Sequence, residues 1–350
     1  MRCPTLKELP PPPPDKKDWP WTEESPQLPG KMPDGSPWPR ISIVTPSYNQ
    51  GRFIEETIRS VLLQGYPELE YMVFDGGSDD DSHSIIEKYS PWLSYWASEP
   101  DRGQAHAINK GFSRSTGALL AWINSDDLYL PGAFKLVGEN HAWCPRSILM
   151  GDVENFIEGE NHSWLTKQFN VSFLNLALPE NEPYSWHQPG LFVPRYLSVA
   201  VGLLDEDLKY AFDLDWILRL LRLAEVSYLN LSVAKFRFHN SAITTSKAPA
   251  MMKESQYLLR SRYWVMIPNF DIKYAKALHS LHLARVYLAY QKKDALHWNR
   301  LTGLRQLMDA FKYSPKVLIH PDFLKLCRRA VLPKFLLRSN PWQSPGQAKN

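Results

Sequence analysis

The sequence has few cysteines, little net charge and no long apolar run. Its 350 residues include three cysteines, Cys3, Cys144 and Cys327, which lie far apart and form no CxxC pair. This spacing argues against a zinc site and a disulfide framework, and it fits a reducing compartment. The formal net charge of +3 gives no reason to expect a nucleic-acid partner. Because we find neither a run of about eighteen apolar residues nor an apolar signal-peptide core, we expect a cytoplasmic protein without a spanning helix.

Proline is abundant and is concentrated in residues 1–39, which contain the run Pro10–Pro14 and several later prolines up to Pro39. Proline fixes φ and lacks a backbone N–H, so this composition predicts an irregular or polyproline-like arm rather than a domain. A ligand for a proline-recognising partner is the alternative interpretation.

From residue 41 onward, apolar strand patterns alternate with helical patterns. The strand-like segments are ISIVT (41–45), LEYMVFD (69–75), YWASEPD (95–101) and ALLAWIN (118–124). Apolar residues at helical spacing lie between them. This alternation predicts an α/β fold with a parallel, Rossmann-like sheet flanked by helices.

Polar clusters follow three of these strands: TPSYN (45–49), DGGSDD (75–80) and NSDD (124–127). Ligands of such sheets bind beyond the carboxyl ends of the strands, so three clusters at one edge predict a binding site. Two adjacent carboxylates in NSDD favour a divalent metal that carries phosphates, although a simple turn is the alternative.

Several α/β enzyme classes lack support in these motifs. A nicotinamide dehydrogenase needs GxGxxG after the first strand, where this chain has TPSYNQG. A sugar-phosphate nucleotidyltransferase would want a glycine-rich phosphate loop with a basic residue at the first turn. A phosphatase of the haloacid dehalogenase type needs its Asp pair after the first strand, and here the pair follows the fourth.

Four segments taken together resemble glycosyltransferase family 2: residues 41–80, SEPDRGQAHAINKGF (98–112), AWINSDDLYLPGA (121–133) and YAFDLDWILRL (210–220). The resemblance covers roughly residues 41–245 and implies a GT-A fold with a mixed, mainly parallel sheet. It implies an inverting enzyme that uses nucleotide sugars. The expected domains are a proline-rich arm (1–39), a GT-A domain (40–247) and a helical, basic C-terminal extension (248–350).

The resemblance also implies the residues of the donor site. Asp75 would meet the nucleobase, flanked by Pro46 and Tyr48. The residues expected to bind the nucleotide sugar are Thr45, Pro46, Tyr48, Asn49, Asp75, Gly76, Asp101, Arg102, Asn109, Asn124, Ser125 and Asp126. Tyr48 as a packed loop aromatic and Asn109 as a helix-surface amide are the alternatives.

The family's DxD-type motif falls on residues 124–127 and implies Mn²⁺ or Mg²⁺ as cofactor. Asp127 would coordinate the metal, and Asp126 would face the ribose or the metal. His239 matches a family histidine that joins the metal or the diphosphate, although a lone histidine is often structural. The motif departs from the family at Asn124, where Asp is commoner, so the site has one charge fewer.

On the acceptor side, the resemblance implies Asp213 as the catalytic base that takes the proton of the acceptor hydroxyl. Phe212 replaces the family's Glu, and Asp213 could instead be a charge that complements the helix dipole. Asp215, two residues away, cannot share its helix face and would be structural. Acceptor-binding residues would be Trp186, His187 and Gln188.

The expected partners are a nucleoside diphosphate sugar, with a UDP-sugar favoured, and a glycan or lipid-linked acceptor, as in polysaccharide biosynthesis at the cell envelope. Lysines and arginines interleaved with apolar residues over 312–350 suggest peripheral contact with the inner face of the plasma membrane, or else a solvated basic face. A degenerate family member that binds nucleotide or glycan without turnover is the alternative function, favoured by Asn124 and Phe212.

Overall fold

The computed structural model describes residues 2–178, 183–267, 273–274, 276–278, 280–281, 284 and 296–331. The chain divides into two compact units. The first comprises Met1–Leu176 with Glu182–Ser255, and the second comprises Ala177–Asn181 with Gln256–Asn350. The candidate site residues named above all lie in the first unit.

One sheet forms the centre of the first unit. Its strands are β1 (Ile41–Ser47), β2 (Leu69–Asp75), β3 (Tyr95–Ser98), β4 (Leu119–Trp122), β5 (Leu128–Tyr129), β6 (Ile148–Ile157), β7 (Ser163–Thr166), β8 (Leu191–Pro194) and β9 (Val226–Phe238). Among the described residues, the strand order is β3-β2-β1-β4-β8-β6-β9-β5, with β7 paired to β6.

The first four strands of this sheet are the four that the sequence predicts, and they are mutually parallel. The sheet then becomes mixed, because β8 runs antiparallel to both β4 and β6, while β6 and β9 are parallel. The predicted α/β class, with a mixed and mainly parallel sheet flanked by helices, is therefore confirmed.

The helices are α1 (Ile54–Leu62), α2 (Ser82–Tyr89), α3 (Gln104–Arg114), α4 (Ala133–Trp143), α5 (Phe173–Ala177), α6 (Arg195–Val201), α7 (Phe212–Leu220), α8 (Ile243–Ser246), α9 (Ala248–Leu258), α10 (Leu296–Tyr313) and α11 (Pro321–Val331). Helix α1 shows why they form, since Ile54, Ile58, Val61 and Leu62 recur at helical spacing and are all fully buried.

The proline-rich N-terminal segment belongs to the first unit and packs against its core. Its anchor is Arg59 of α1, which is fully buried. The Arg59 guanidinium donates hydrogen bonds to the backbone carbonyls of Pro10, Pro20 and Trp21 at 2.9–3.0 Å. A buried cation is tolerated only where its donors are satisfied, so the segment and α1 depend on each other.

The second unit has its own apolar core, to which Leu281, Leu307, Val317, Phe323 and Leu326 contribute. Helices α10 and α11 agree with the helical pattern predicted for this region. Within the part of the chain that the structure describes, no helix is both long and apolar enough to cross a bilayer. Residues 332–350 of the basic tail lie outside the described residues.

Candidate active site

The carboxyl ends of β1, β2, β3 and β4 meet at one edge of the sheet because these strands are parallel. The strand register pairs Ser47 with Asp75, and Asp75 with Ser98. On β4, Trp122 pairs with Val44, and Asn124 follows two residues later. The structure therefore brings the three polar clusters of the sequence together at this edge.

The loops after β1, β2 and β3 form a narrow slot. Gly76 lies between the Tyr48 ring and Asp101, since a Cβ at position 76 would come within 3.0 Å of Asp101 Oδ2 and 3.3 Å of Tyr48 Cδ2. Tyr48 is 63% exposed, so its ring offers a face to a ligand. Asn49 fixes this loop because its backbone N–H donates to Ser78 and its side chain accepts from the Asp79 backbone N–H. A flat group such as a nucleobase fits the chemistry of this slot.

Asp75 lies beneath the slot and is 2% exposed. Its carboxylate accepts hydrogen bonds from the Ser78 backbone N–H at 2.9 Å, the Ser78 hydroxyl at 2.5 Å and the Ser98 hydroxyl at 2.7 Å. Carboxylate oxygens retain further lone pairs, so Asp75 holds the loop and can still accept from a ligand.

Two residues expected in the donor site are used inside the fold. The Thr45 hydroxyl is fully buried and lies 3.0 Å from the Tyr71 hydroxyl, within the sheet. Asn109 is buried on α3, where it bonds both the backbone N–H and the carbonyl of Leu204 at 2.9 Å. The geometry gives Asn109 the role of fixing the loop before α7. Pro46 is likewise buried.

Arg102 remains accessible at the edge, with its side chain 69% exposed. It forms an ion pair with Glu206, which Asn109 also contacts at 2.9 Å. An exposed ion pair of this kind is worth little and can be exchanged for another anion. Arg102 can therefore still meet a phosphate or a sugar.

The NSDD motif separates into an accessible carboxylate and a buried one. Asp126 keeps its carboxylate near the surface, and Asp126 Oδ2 lies 3.0 Å from His239 Nε2. Asp127 is fully buried, and its Oδ1 accepts the Arg237 backbone N–H at 3.0 Å while its Oδ2 accepts the Asn124 amide at 3.3 Å. Of the three residues that the sequence analysis expects at the metal, Asp126 and His239 therefore lie side by side at the edge, whereas Asp127 is buried within the fold.

Burial also changes the protonation of Asp127. Removal from water, followed by the charge of Asp126, raises the pKa of Asp127 well above its ordinary value. The Arg237 backbone N–H opposes this shift in the pKa. Asn124 completes the motif, since its side-chain oxygen accepts from Gln104 at 2.7 Å. Ser125 is buried.

Behind the Asp126–His239 pair lies Arg237, a residue for which the sequence gave no signal. Its side chain is 4% exposed and pairs with Glu56 and Glu158, the former at 2.8 Å. Arg237 Nε also donates to the Asp126 backbone carbonyl at 2.8 Å. In the sequence, Arg237 is one strand residue among others, two positions before His239. The ion-pair network becomes visible only in the structure, because Glu56 and Glu158 lie 181 and 79 residues away from Arg237 in the chain.

Helix α7 carries Asp213 in its first turn, at the same part of the fold as β4. Trp216, one turn later, packs against Trp122 at the end of β4 with ring centroids 5.6 Å apart. Asp213 is half-buried and accepts one local hydrogen bond, from the Leu214 backbone N–H at 2.7 Å. Desolvation by burial raises the pKa of Asp213 to about 6. A carboxylate with that pKa is suited to act as a general base near neutral pH.

Asp215 is structural, as the sequence predicted from its position on the helix. It is 2% exposed and pairs with Arg219 at 2.8 Å, one turn along α7. Its burial and ion pair leave Asp213 as the accessible acid of this turn.

The WHQ segment (186–188), which the sequence analysis expects to bind the acceptor, lies against β4 and β9. Gln188 is buried and donates to the Trp122 carbonyl at 2.8 Å, so it supports β4. The His187 ring packs on Phe236 with centroids 4.5 Å apart, and burial lowers the pKa of His187 to about 4. His187 Nδ1 is buried without a hydrogen-bond partner among the described residues. Trp186 is half-buried.

Comparisons with known proteins agree with this architecture. The sequence model described as glycosyl transferase family 2 matches residues 42–196. An uncharacterized glycosyltransferase of Rickettsia typhi is 28% identical over 229 residues, which cover 63% of this chain and 70% of the relative. An uncharacterized glycosyltransferase of Mycobacterium tuberculosis is 37% identical over 92 residues, which cover 26% of this chain and 35% of the relative.

Among solved structures, residues 1–349 of S. aureus TarS in complex with UDP-GlcNAc superimpose with a TM-score of 0.56 at 15% identity. The match covers 83% of this chain and 88% of that one. A longer TarS structure matches with a TM-score of 0.55, and there the chain spans about half of the other protein, 52%. At this level of identity the structural match supports the GT-A fold. Taken with the named relatives, the family match shows that residues 42–196 form a glycosyltransferase family 2 domain and that the protein is a glycosyltransferase.

Proposed function

We propose that the protein is an inverting glycosyltransferase that transfers a sugar from a UDP-sugar to a hydroxyl of a glycan or lipid-linked acceptor. The observation that carries this proposal is Asp213, a half-buried carboxylate in the first turn of α7 whose pKa burial raises to about 6. Inversion needs one base on the face of the sugar opposite the leaving group.

The donor end of the site rests on the slot around Gly76. Tyr48 would stack on the base, and Asp75 and Asp101 would accept from it, as carboxylates can accept from a ring N–H. Arg102 would leave Glu206 and meet the diphosphate. A UDP-sugar is the donor we favour, because the TarS structures that match this fold were solved with UDP-GlcNAc and with UDP.

The residues at the edge fit a divalent cation. Asp126 offers a carboxylate oxygen and His239 an imidazole nitrogen, and the two already lie 3.0 Å apart. Among the described residues, no group of three His, Cys, Asp or Glu side chains could hold a metal, so phosphate oxygens would have to complete the shell. Because Mg²⁺ prefers oxygen ligands only, the mixed donors favour Mn²⁺. When bound, the cation would neutralise the leaving diphosphate.

Membrane contact is a separate part of this proposal. In the second unit, Leu318, Ile319 and Leu324 are exposed, Ile319 to 85%, and Lys325 is exposed beside them in sequence. Exposed apolar side chains with lysines suit an anionic lipid surface. Helix α11 is strongly amphipathic, but part of its apolar side packs in the core of the second unit. Sedimentation with anionic and with neutral vesicles therefore tests the membrane contact directly. Equal binding to both would contradict the electrostatic part of the proposal.

The function is tested by isothermal titration of UDP, GDP and dTDP with and without Mn²⁺, together with transfer assays of Asp213→Asn. We expect UDP to bind only with the cation, and Asp213→Asn to bind UDP normally while losing transfer by roughly 10²–10⁴-fold. The matched control is Asp207→Asn, which changes an exposed acid of the preceding loop. Transfer that survives in Asp213→Asn would reject Asp213 as the base.

A further inference from the structure

One distant carboxylate holds three consecutive backbone N–H groups just before α7. Glu254, on α9, accepts hydrogen bonds from the backbone N–H groups of Lys209 at 2.9 Å, Tyr210 at 2.5 Å and Ala211 at 2.7 Å. Glu254 lies 43 residues after Ala211 in the sequence. The contact therefore joins two helices through a single side chain.

This contact holds the segment that leads into α7, a helix whose N-cap residue has no side-chain acceptor. Ala211 occupies the N-cap position of α7 and has no side-chain acceptor, and Phe212 follows it. The first N–H groups of a helix need an acceptor from outside the helix. Asp213 Oδ1 accepts the Leu214 backbone N–H within the first turn, whereas Glu254 accepts the N–H groups of the three residues before the helix.

The position of Asp213 follows from the same contact. Asp213 is two residues after Ala211. The backbone that Glu254 fixes therefore sets the position from which the Asp213 side chain extends. The charged residues nearest Asp213 on its own helix are Asp215 and Arg219, which pair with each other. From α9, the negative charge of Glu254 adds to burial in raising the pKa of Asp213.

We propose that Glu254 is a positioning residue for the transfer reaction, which fixes the segment 209–211 and thereby the place of the base Asp213. This inference rests on the proposed function, in which Asp213 takes the acceptor proton. Glu254 itself touches backbone groups and no substrate.

The test is the transfer kinetics of Glu254→Gln as a function of pH, with Lys253→Gln as the matched control on the exposed side of α9. A Gln amide has one acceptor oxygen, so at least one of the three N–H groups loses its partner. We expect kcat to fall on the order of tenfold, because misplacement of a catalytic group costs rate, while the donor KM stays within about twofold. The acidic limb of the pH–rate profile should move to lower pH, because a negative charge near Asp213 has been removed.

Glu254→Asp is the second variant, since it keeps the charge but shortens the side chain. We expect the acidic limb of its pH–rate profile to lie where it does in the parent protein, while kcat stays low. A change that only destabilised the protein would not separate these two effects. Unchanged kcat and limb in Glu254→Gln would overturn the positioning role. So would equal losses of kcat and of donor affinity, which would indicate general loosening. If Asp213→Asn is inactive and Glu254→Gln is normal, only this inference fails; if Asp213→Asn is active, the proposed function fails.

Discussion

His239 Nε2 lies 3.0 Å from Asp126 Oδ2, although 113 residues separate the two in the sequence. The other ring nitrogen of His239 lies 2.8 Å from the Ser241 hydroxyl, and the ring packs on Phe53 at 4.7 Å. A second contact of this kind holds the imidazole in one orientation, as at many metal-ligating histidines. The loop after β4 and the end of β9 are thus joined at the edge where the strand ends carry polar residues.

The first prediction separates the roles of the two adjacent acids. Asp126→Asn should abolish Mn²⁺-dependent UDP binding, because it removes the accessible carboxylate charge beside His239. Asp127→Asn should keep that binding but lower the free energy of unfolding by about 1–3 kcal/mol, because its new NH₂ faces the Asn124 or Arg237 donor. Calorimetric titration and urea unfolding of both variants measure these effects. The opposite pattern, with binding lost only in Asp127→Asn, would return the metal to Asp127.

The second prediction concerns the pH dependence of transfer. The pKa of Asp213 is raised to about 6 by burial, and a base acts only when deprotonated. The rate should therefore be constant above about pH 7 and fall about tenfold per pH unit below pH 6. An Asp with its ordinary pKa, 3.8, would keep the rate constant down to pH 5. Initial rates measured at saturating donor and acceptor decide between these profiles.

The raised pKa of Asp213 also affects how the stability of the protein depends on pH. Between pH 3.8 and about 6, the folded protein binds the Asp213 proton more tightly than the unfolded chain, so this group's contribution to stability falls as pH rises. Asp213→Asn should thus be at least as stable as the parent protein at pH 8. A lower melting temperature for this variant at pH 8 would contradict the desolvation account.

The third prediction concerns the buried cation Arg237. Arg237→Met should lower the free energy of unfolding by about 3 kcal/mol, because it leaves the Glu56 and Glu158 carboxylates without their partner. It should also weaken Mn²⁺-dependent UDP binding, since Arg237 holds the Asp126 carbonyl. Arg52→Met is the control, because Arg52 pairs with the same Glu158 but is 70% exposed. We expect Arg52→Met to lower the free energy of unfolding by less than about 1 kcal/mol. Equal losses of unfolding free energy in the two variants would contradict the stabilising role of the buried ion pairs of Arg237.

The fourth prediction concerns the N-terminal segment. Arg59→Met should expose residues 2–39 to limited proteolysis and cost about 3–5 kcal/mol of unfolding free energy, because three buried carbonyls lose their donor. Lys88→Met, which removes a 41% exposed partner of Glu55, should leave the protease pattern unchanged. A segment that is cleaved equally fast in the parent protein and in Arg59→Met would show that Arg59 does not anchor it.

Much of the fold could be read from local patterns. The β-branched run at Ile41 and the helical spacing over Ile54–Leu62 are local signals, and both elements form where the sequence predicts them. The half of the sheet made by β6, β8 and β9 was not predicted, because antiparallel and parallel pairings between distant strands leave no periodic mark. The packing of the proline-rich segment was also missed, since it depends on Arg59, and one buried arginine in an amphipathic helix looks like a surface residue.

The sequence by itself predicted the α/β class, the resemblance to glycosyltransferase family 2 and the edge of the sheet at which the polar clusters meet. The alternation of strands with helices along the chain and the composition of the loops are local signals, and parallel strands share an end. Only the tertiary structure decided which members of those clusters are accessible. It buried Asp127 against the Arg237 backbone, paired Asp126 with His239 and placed Glu254 before α7. These assignments depend on contacts between residues far apart in the chain, and burial rather than residue type sets what each carboxylate can do.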